Sequence, residues 1–221
     1  MVVSKNQALE GSLSKIEVLI KEIHHRVKNN MQMISGILTL QEDEYEDENI
    51  INALRDSQNR IKSMSLVHQK LYGTHTLKDV PTKEYVVQLI DFIKDTVSHA
   101  ILDVQIEIEI NETLSFDGDT TANLGLIINE LITNSFKYAF KKDQKNSFYL
   151  AIVKQADNYK LMYSDSGDGL PDDFDFETTS SLGMQLVQVL TDQLNGKLSY
   201  TKVPKKAFEI YFKPIVSSFS I

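Results

Sequence analysis

From Leu9 to Gln41 the chain runs without a proline, and its apolar residues recur at steps of three and four: Leu13, Ile16, Ile20, Ile23, Val27, Met31, Ile34, Leu38. At about 100° per residue those steps draw one stripe down a helix, close to a heptad seam. A strand would scatter the same residues over both of its faces. The like-charged run Glu42-Asp43-Glu44-Tyr45-Glu46-Asp47-Glu48 then breaks the pattern and reads as a solvated loop. A second helix follows, with Ile50, Leu54, Ile61, Met64 and Leu71 on one face. Two long helices joined by a short loop form an antiparallel hairpin. The apolar stripe is wider than one partner helix covers. A second copy of the chain is therefore expected against it, and a homodimer would complete a four-helix bundle.

Gly73-Thr74-His75-Thr76 reads as a linker, and the texture changes after Pro81. The expected division is a helical hairpin over 1–75 and a second domain over 76–221. In the second domain Thr82 to Val97 reads as a helix, and Val104 to Ile110 alternates as a half-buried strand does. Leu124 to Phe140 reads as a helix, Phe148 to Val153 and Tyr159 to Ser164 as strands. A Gly- and Asp-rich loop from Asp165 to about Ser181 leads into a helix from Gly183 to Leu194, which Gly196 ends. Lys197 to Tyr200 and Ala207 to Phe212 close the domain as strands, and the domain's strands are expected to be of antiparallel type. Helices and strands mixed without regular βαβ alternation favour an α+β sandwich.

The 221 residues are 42% hydrophobic and 24% charged, enough for two packed units. With no cysteine, disulfides and thiolate metal sites are excluded, which suits a reducing, cytoplasmic setting. Net charge is −8 and the cations are scattered, so no nucleic-acid footprint is present. An anionic ligand would have to be held by backbone amides, a metal and a few local cations. No run of about 18 apolar residues exists to span a bilayer. Neither is there a signal peptide at Met1, and the abrupt start is consistent with a piece of a longer sensor protein.

Within the first helix lies Glu22-Ile23-His24-His25-Arg26-Val27-Lys28-Asn29-Asn30. His25 falls nearly opposite the centre of the apolar face, and His24 near its edge. An imidazole that accepts a phosphoryl group must be reachable, which favours His25 over His24. Glu22 and Asn29 share the exposed stripe of His25. A carboxylate there could hold one ring nitrogen and sharpen the nucleophilicity of the other. The plain alternative is a pair of solvated histidines.

Three further motifs sit in the second domain. Asn129-Glu130-Leu131-Ile132-Thr133-Asn134-Ser135-Phe136-Lys137-Tyr138 lies on a helix, with Glu130 and Asn134 four apart on one face. The amide oxygen of Asn134 suits Mg²⁺, and Glu130 could order the metal's waters or act as a base. Lys137 and Tyr138, one turn on, could meet phosphate or ribose. Asp165-Ser166-Gly167-Asp168-Gly169 follows a strand, where Gly167 and Gly169 allow close backbone approach and a carboxylate can accept from an exocyclic amine. Ser180-Ser181-Leu182-Gly183-Met184 opens a helix whose free N–H groups favour phosphate. Separately these read as a polar helix face, a turn and a Ser-capped helix start.

The Glu22-to-Asn30 string resembles the H-box of the histidine kinase subfamily marked by HHRVKNN, a relative of the HWE kinases. Met31-Gln32, Leu38-Thr39-Leu40-Gln41 and Ser65-Leu66-Val67-His68-Gln69-Lys70-Leu71-Tyr72 continue the likeness. The three later motifs, in this order, resemble the N, G1 and G2 boxes of the GHKL (Bergerat) ATPases from about Lys83 to Pro214. The resemblance implies a protein-histidine kinase that phosphorylates itself from ATP and passes the phosphoryl group to an aspartate of a response-regulator receiver domain. It implies phosphorylation at His25, with His24 of the doublet left open, magnesium on Asn134 and adenine read by Asp165. Gly167, Gly169 and Gly183 would shape the pocket and lid, with Ser181, Leu182 and Met184 around the last of them. The family commonly has Gly-Thr before its last strand, where this chain has Lys205-Lys206-Ala207-Phe208, so the usual hydroxyl contact is missing, and affinity is either lowered or served by a lysine. The lid, Leu170 to Ser180, carries only Phe174 and Phe176 as aromatics. Two other readings stay open: a GHKL ATPase that activates water through Glu130, and a nucleotide-degenerate dimeric interaction module.

Overall fold

A computed structural model of the chain describes residues 2–72, 80–97, 103–171, 174, 181–202 and 205–214. The chain divides into two compact units, Met1–His75 and Thr76–Ile221.

The first unit is a helical hairpin. Helix α1 spans Val2–Glu42 and α2 spans Glu48–Tyr72, so the acidic run forms the turn except at its two ends, which extend the helices. Asp47 caps α2 by accepting from the Asn49 N–H at 2.8 Å. Near the turn Arg55 binds Glu42 across the pair, and the Gln58 amide, buried, donates to Thr39 Oγ1 at 3.3 Å. Val27, Met31 and Leu38 are half-buried. Leu19, Ile23, Met33, Ile34, Ile37 and Leu40 remain exposed on α1. No helix of the described residues is long and apolar enough to cross a membrane.

The second unit is a two-layer sandwich. Strands β2 (Val104–Ile110), β4 (Asn146–Gln155), β5 (Asn158–Asp165), β6 (Lys197–Thr201) and β7 (Ala207–Phe212) form one sheet in the order β2-β4-β5-β7-β6. All pairs are antiparallel except β2 with β4, which run parallel in the register Val104↔Asn146 to Ile110↔Ile152. That corrects the expectation of antiparallel strands throughout. Between β2 and β4 the chain passes through helix α4 (Gly118–Asn134), and a helical crossover returns the next strand in the same sense. A two-residue ribbon, β1 (Val80–Pro81) against β3 (Ser115–Phe116), went unforeseen because it is too short to show periodicity.

Helix α3 spans Thr82–Val97 and α5 spans Leu182–Gln193. Their apolar faces meet α4 and the inner face of the sheet in one core: Val86, Leu89, Ile90 and Ile93 from α3, Leu124, Ile127, Ile128, Leu131 and Ile132 from α4, Val187 and Leu190 from α5, Phe148, Leu150, Ile152, Leu161, Tyr163, Ile210 and Phe212 from the strands. Helix α4 begins six residues before the expected Leu124, at a cap that the apolar pattern does not announce. The Asp117 carboxylate accepts from Thr120 N–H at 2.9 Å and Thr120 O–H at 2.7 Å. It ends as an α-helix at Asn134 and continues as a single π-helical turn, Ser135–Ala139. Such turns occur often at functional sites.

Candidate active site

The end of α4, its π-turn, the end of β5 and the start of α5 enclose a cavity of about 280 Å³ in the second unit. Its geometry follows from three local facts. Buried apolar residues on α4 fix that helix against the sheet, so the next residues, Asn134 and Ser135, stand at the cavity floor. Tyr163 and Asp165 are two apart on β5 and therefore share one face, turned toward the helices. Met184, in the first turn of α5, meets the Asn134 amide, whose Nδ2 lies 3.5 Å from the thioether sulfur.

The Asp165 carboxylate is held at both oxygens. Oδ1 accepts from Gly167 N–H at 2.9 Å, and Oδ2 accepts from the Ser135 hydroxyl at 2.5 Å. Ser135 Oγ also lies 2.7 Å from the Tyr163 hydroxyl and 3.2 Å from the Leu131 carbonyl. A serine has one proton, and a carboxylate is the strongest acceptor within reach, so the order runs Tyr163 O–H to Ser135 to Asp165. Burial pushes the Tyr163 hydroxyl well above its ordinary pKa, which keeps it a donor.

Gly167 and Gly169 have distinct reasons to be glycine. A Cβ on Gly167 would stand 2.4 Å from Ala139 Cβ, so the β5 loop can lie against the π-turn only without one. Gly169 has φ +78°, in the region where side chains are strained. Asp168 lies between them, fully exposed. A hydrogen bond and charge attraction from Lys141, at 2.8 Å, hold its carboxyl below the usual range.

Of the residues singled out in the sequence, Asn134, Tyr138, Asp165, Gly169, Ser181 and Met184 line the cavity. Gly167 borders it through its bond to Asp165. Lys137 and Leu182 are exposed and Gly183 is buried in α5, all three outside the lining. Glu130 was expected on one helix face with Asn134, where it could order the metal's waters or act as a base. It is 3% exposed and outside the lining, because α4 is packed against both α3 and α5 and lacks an open face at that turn. Of the lid, Leu170 and Phe174 line the cavity, while Phe176 and Ser180 lie outside the described residues. Ser135, Tyr163 and Tyr200 are contributors that sequence reasoning missed. The alternation of β5 placed Tyr163 on the face of Asp165 and was the available signal for it.

In the first unit His25 is exposed on α1. The Glu22 carboxylate, expected to orient it, instead accepts from Arg26 Nε at 2.8 Å in an i,i+4 ion pair, the spacing at which helix side chains meet. Asn29 is exposed as well, and the side chain of His24 lies outside the described residues. Among the described residues no three or more His, Cys, Asp or Glu side chains gather to hold a metal.

A two-helix module followed by a sandwich with its cleft between α4, β5 and α5 defines the core of a GHKL-type kinase. Residues 22–97 match the family HisKA_2, histidine kinase, and residues 119–216 match HATPase_c, the histidine kinase-, DNA gyrase B- and HSP90-like ATPase. The chain is 31% identical over 206 residues to the sensor histidine kinase PdtaS of Mycolicibacterium smegmatis, across 91% of this chain and 40% of that protein. It is 23% identical to blue-light-activated histidine kinase 2 of Erythrobacter litoralis, across 86% of this chain and 55% of that protein. The histidine kinase domain of an Erythrobacter litoralis blue-light activated kinase shares the fold at a TM-score of 0.61 and 19% identity, covering 91% of this chain and 93% of that one. The chain belongs to the histidine kinase family and comprises a sensor histidine kinase core. It spans about two fifths of the length of the PdtaS relatives it matches.

Proposed function

We propose that the cleft binds magnesium-ATP, that the γ-phosphoryl group passes to His25, and that it then moves to an aspartate on a response-regulator receiver domain. In the first step an imidazole nitrogen forms a bond to the γ-phosphorus as the bond to the bridging oxygen of ADP breaks. ADP takes the electron pair. The observation that carries the reading is the doubly anchored Asp165: both oxygens are fixed by donors behind and beside it, so their remaining acceptor capacity is aimed where an exocyclic amine would enter. Backbone amides at the start of α5 supply partial positive charge for phosphates, which an overall charge of −8 does not.

Asn134 fits a magnesium site of the kind nucleotides bring with them. With Nδ2 turned to Met184, its amide oxygen is the hard donor offered to the cleft, and Mg²⁺ bound with phosphates keeps several waters and needs few protein ligands. When bound, the ion would offset phosphate charge. Positioning and electrostatics supply most of the barrier reduction in such transfers. Glu130, buried on α4 one turn before Asn134, is the residue through which the hydrolysis alternative would act.

Labelled ATP tests the assignment. Wild type should acquire an acid-labile phosphoryl group and His25→Ala should not. Persistence of label in His25→Ala, or its loss only in His24→Ala, would show the acceptor misassigned. Steady phosphate release without phosphoprotein would favour the ATPase alternative.

A further inference from the structure

The β6–β7 hairpin brings to the cleft Tyr200, to which no sequence motif gives a role, and Lys206, one of the lysines standing where the usual Gly-Thr pair is missing. Tyr200 on β6 and Lys206, just before β7, both line the cavity. They meet the β5 loop at three consecutive residues. Lys206 Nζ donates to the Asp168 carbonyl. At Gly169 an added Cβ would stand 2.4 Å from the Tyr200 hydroxyl oxygen and 2.7 Å from Lys206 Cδ, so both side chains press directly on that residue. Leu170 N–H donates to the Tyr200 hydroxyl at 3.2 Å. Gly169, with φ +78° and no side chain, has little of its own to hold that conformation. The grip is therefore supplied from the hairpin, three to five residues beyond Asp165.

We propose that Lys206 and Tyr200 are positioning residues that clamp Asp168-Gly169-Leu170 as the wall of the cleft and thereby set nucleotide affinity. Lysine at this place stands where the resembling kinases carry a Gly-Thr pair, and its reach lets it act on the loop's backbone. This rests on the reading that the cleft binds ATP. The clamp belongs to binding: it shapes the cleft before the phosphoryl group moves, and no reacting atom touches it.

The test measures ATP affinity by calorimetry and autophosphorylation rate against ATP concentration in the full chain. Lys206→Met keeps most of the stem and loses the donor, and should weaken ATP binding about 10-fold, the scale of one charge-assisted hydrogen bond. Tyr200→Phe, which changes no charge, should weaken it about 3-fold as the loop amide loses its acceptor. Lys206→Arg should restore affinity to within about 2-fold of wild type, since guanidinium also donates. The rate at saturating ATP should stay at the wild-type level in all three. Amide exchange at Leu170 in nucleotide-free protein should quicken in the Met and Phe variants, a readout independent of ligand.

Weakening in Lys206→Met alone, with Tyr200→Phe binding as wild type, would mean a simple charge effect and overturn the clamp. So would unchanged affinity and unchanged exchange in both. Asp165→Asn separates the two levels: if it binds ATP as wild type does, the nucleotide reading itself fails. If it loses binding while the hairpin variants keep theirs, only the clamp is wrong.

Discussion

At the scale of single residues the site depends on a serine. Ser135 joins a buried tyrosine hydroxyl to the Asp165 carboxylate, so removing it strands both. Ser135→Ala should leave Tyr163 O–H buried without its acceptor and cost about 1–3 kcal/mol of stability. Asp165, free to rotate about one fixed oxygen, should bind ATP about 10-fold more weakly, the scale of one hydrogen bond to a charged group. Thermal melting and calorimetry check the two halves separately; wild-type values in both would remove the relay. The places of Asn134, Asp165 and Gly169 on the cavity were legible because each belongs to a motif whose chemistry is local. Ser135 was not legible, and of Tyr163 the alternation of β5 showed only the face it stands on. Their role exists only because α4 ends where β5 ends, a juxtaposition made by tertiary packing.

At the scale of elements, α4 organises the sandwich, and its two ends were read with unequal success. The apolar run marked its interior, but its true start rests on Asp117, which has the cap geometry of φ −61° and ψ 165° and lies seven residues before the first apolar signal used. Asp117→Ala should lower stability by about 1 kcal/mol, visible as a reduced melting temperature, and an unchanged melt would deny the cap its weight. Where α4 meets α3, the Tyr85 hydroxyl occupies the space a Gly125 side chain would need and has no hydrogen-bond partner among the described residues. Burial pushes its pKa far above the ordinary value, so it stays neutral. Tyr85→Phe should therefore raise stability by about 1 kcal/mol in urea titration, with the slope unchanged. A fall in stability would mean the hydroxyl has a partner in solution. The parallel pairing of β2 with β4 was illegible for another reason: alternation reports which face of a strand is buried and nothing of its neighbour's direction.

At the scale of the whole molecule, the hairpin carries more apolar surface than it hides. Taken at about 100° per residue, Leu19, Ile23, Met33, Ile34, Ile37 and Leu40 fall within about 120° of arc on α1, beside the narrower stripe of Val27, Met31 and Leu38 that faces α2. His25 lies about 120° from the centre of that outer patch, so a second hairpin seated on it leaves the imidazole open. An exposed apolar face of this kind marks an interaction surface, and a second copy offers the matching stripe. Ile34→Glu with Ile37→Glu places two charges in the patch, at positions 45% and 52% exposed in the single chain, so folding of the hairpin is spared. Wild type should sediment at twice the 25.2 kDa of one chain and the double variant at one. ATP affinity should be the same in both, because the cleft lies wholly within the other compact unit. A wild type that sediments as a single chain would leave the patch to some other partner. A double variant that stays dimeric would place the contact elsewhere, and one that loses ATP binding would show that the patch influences the cleft.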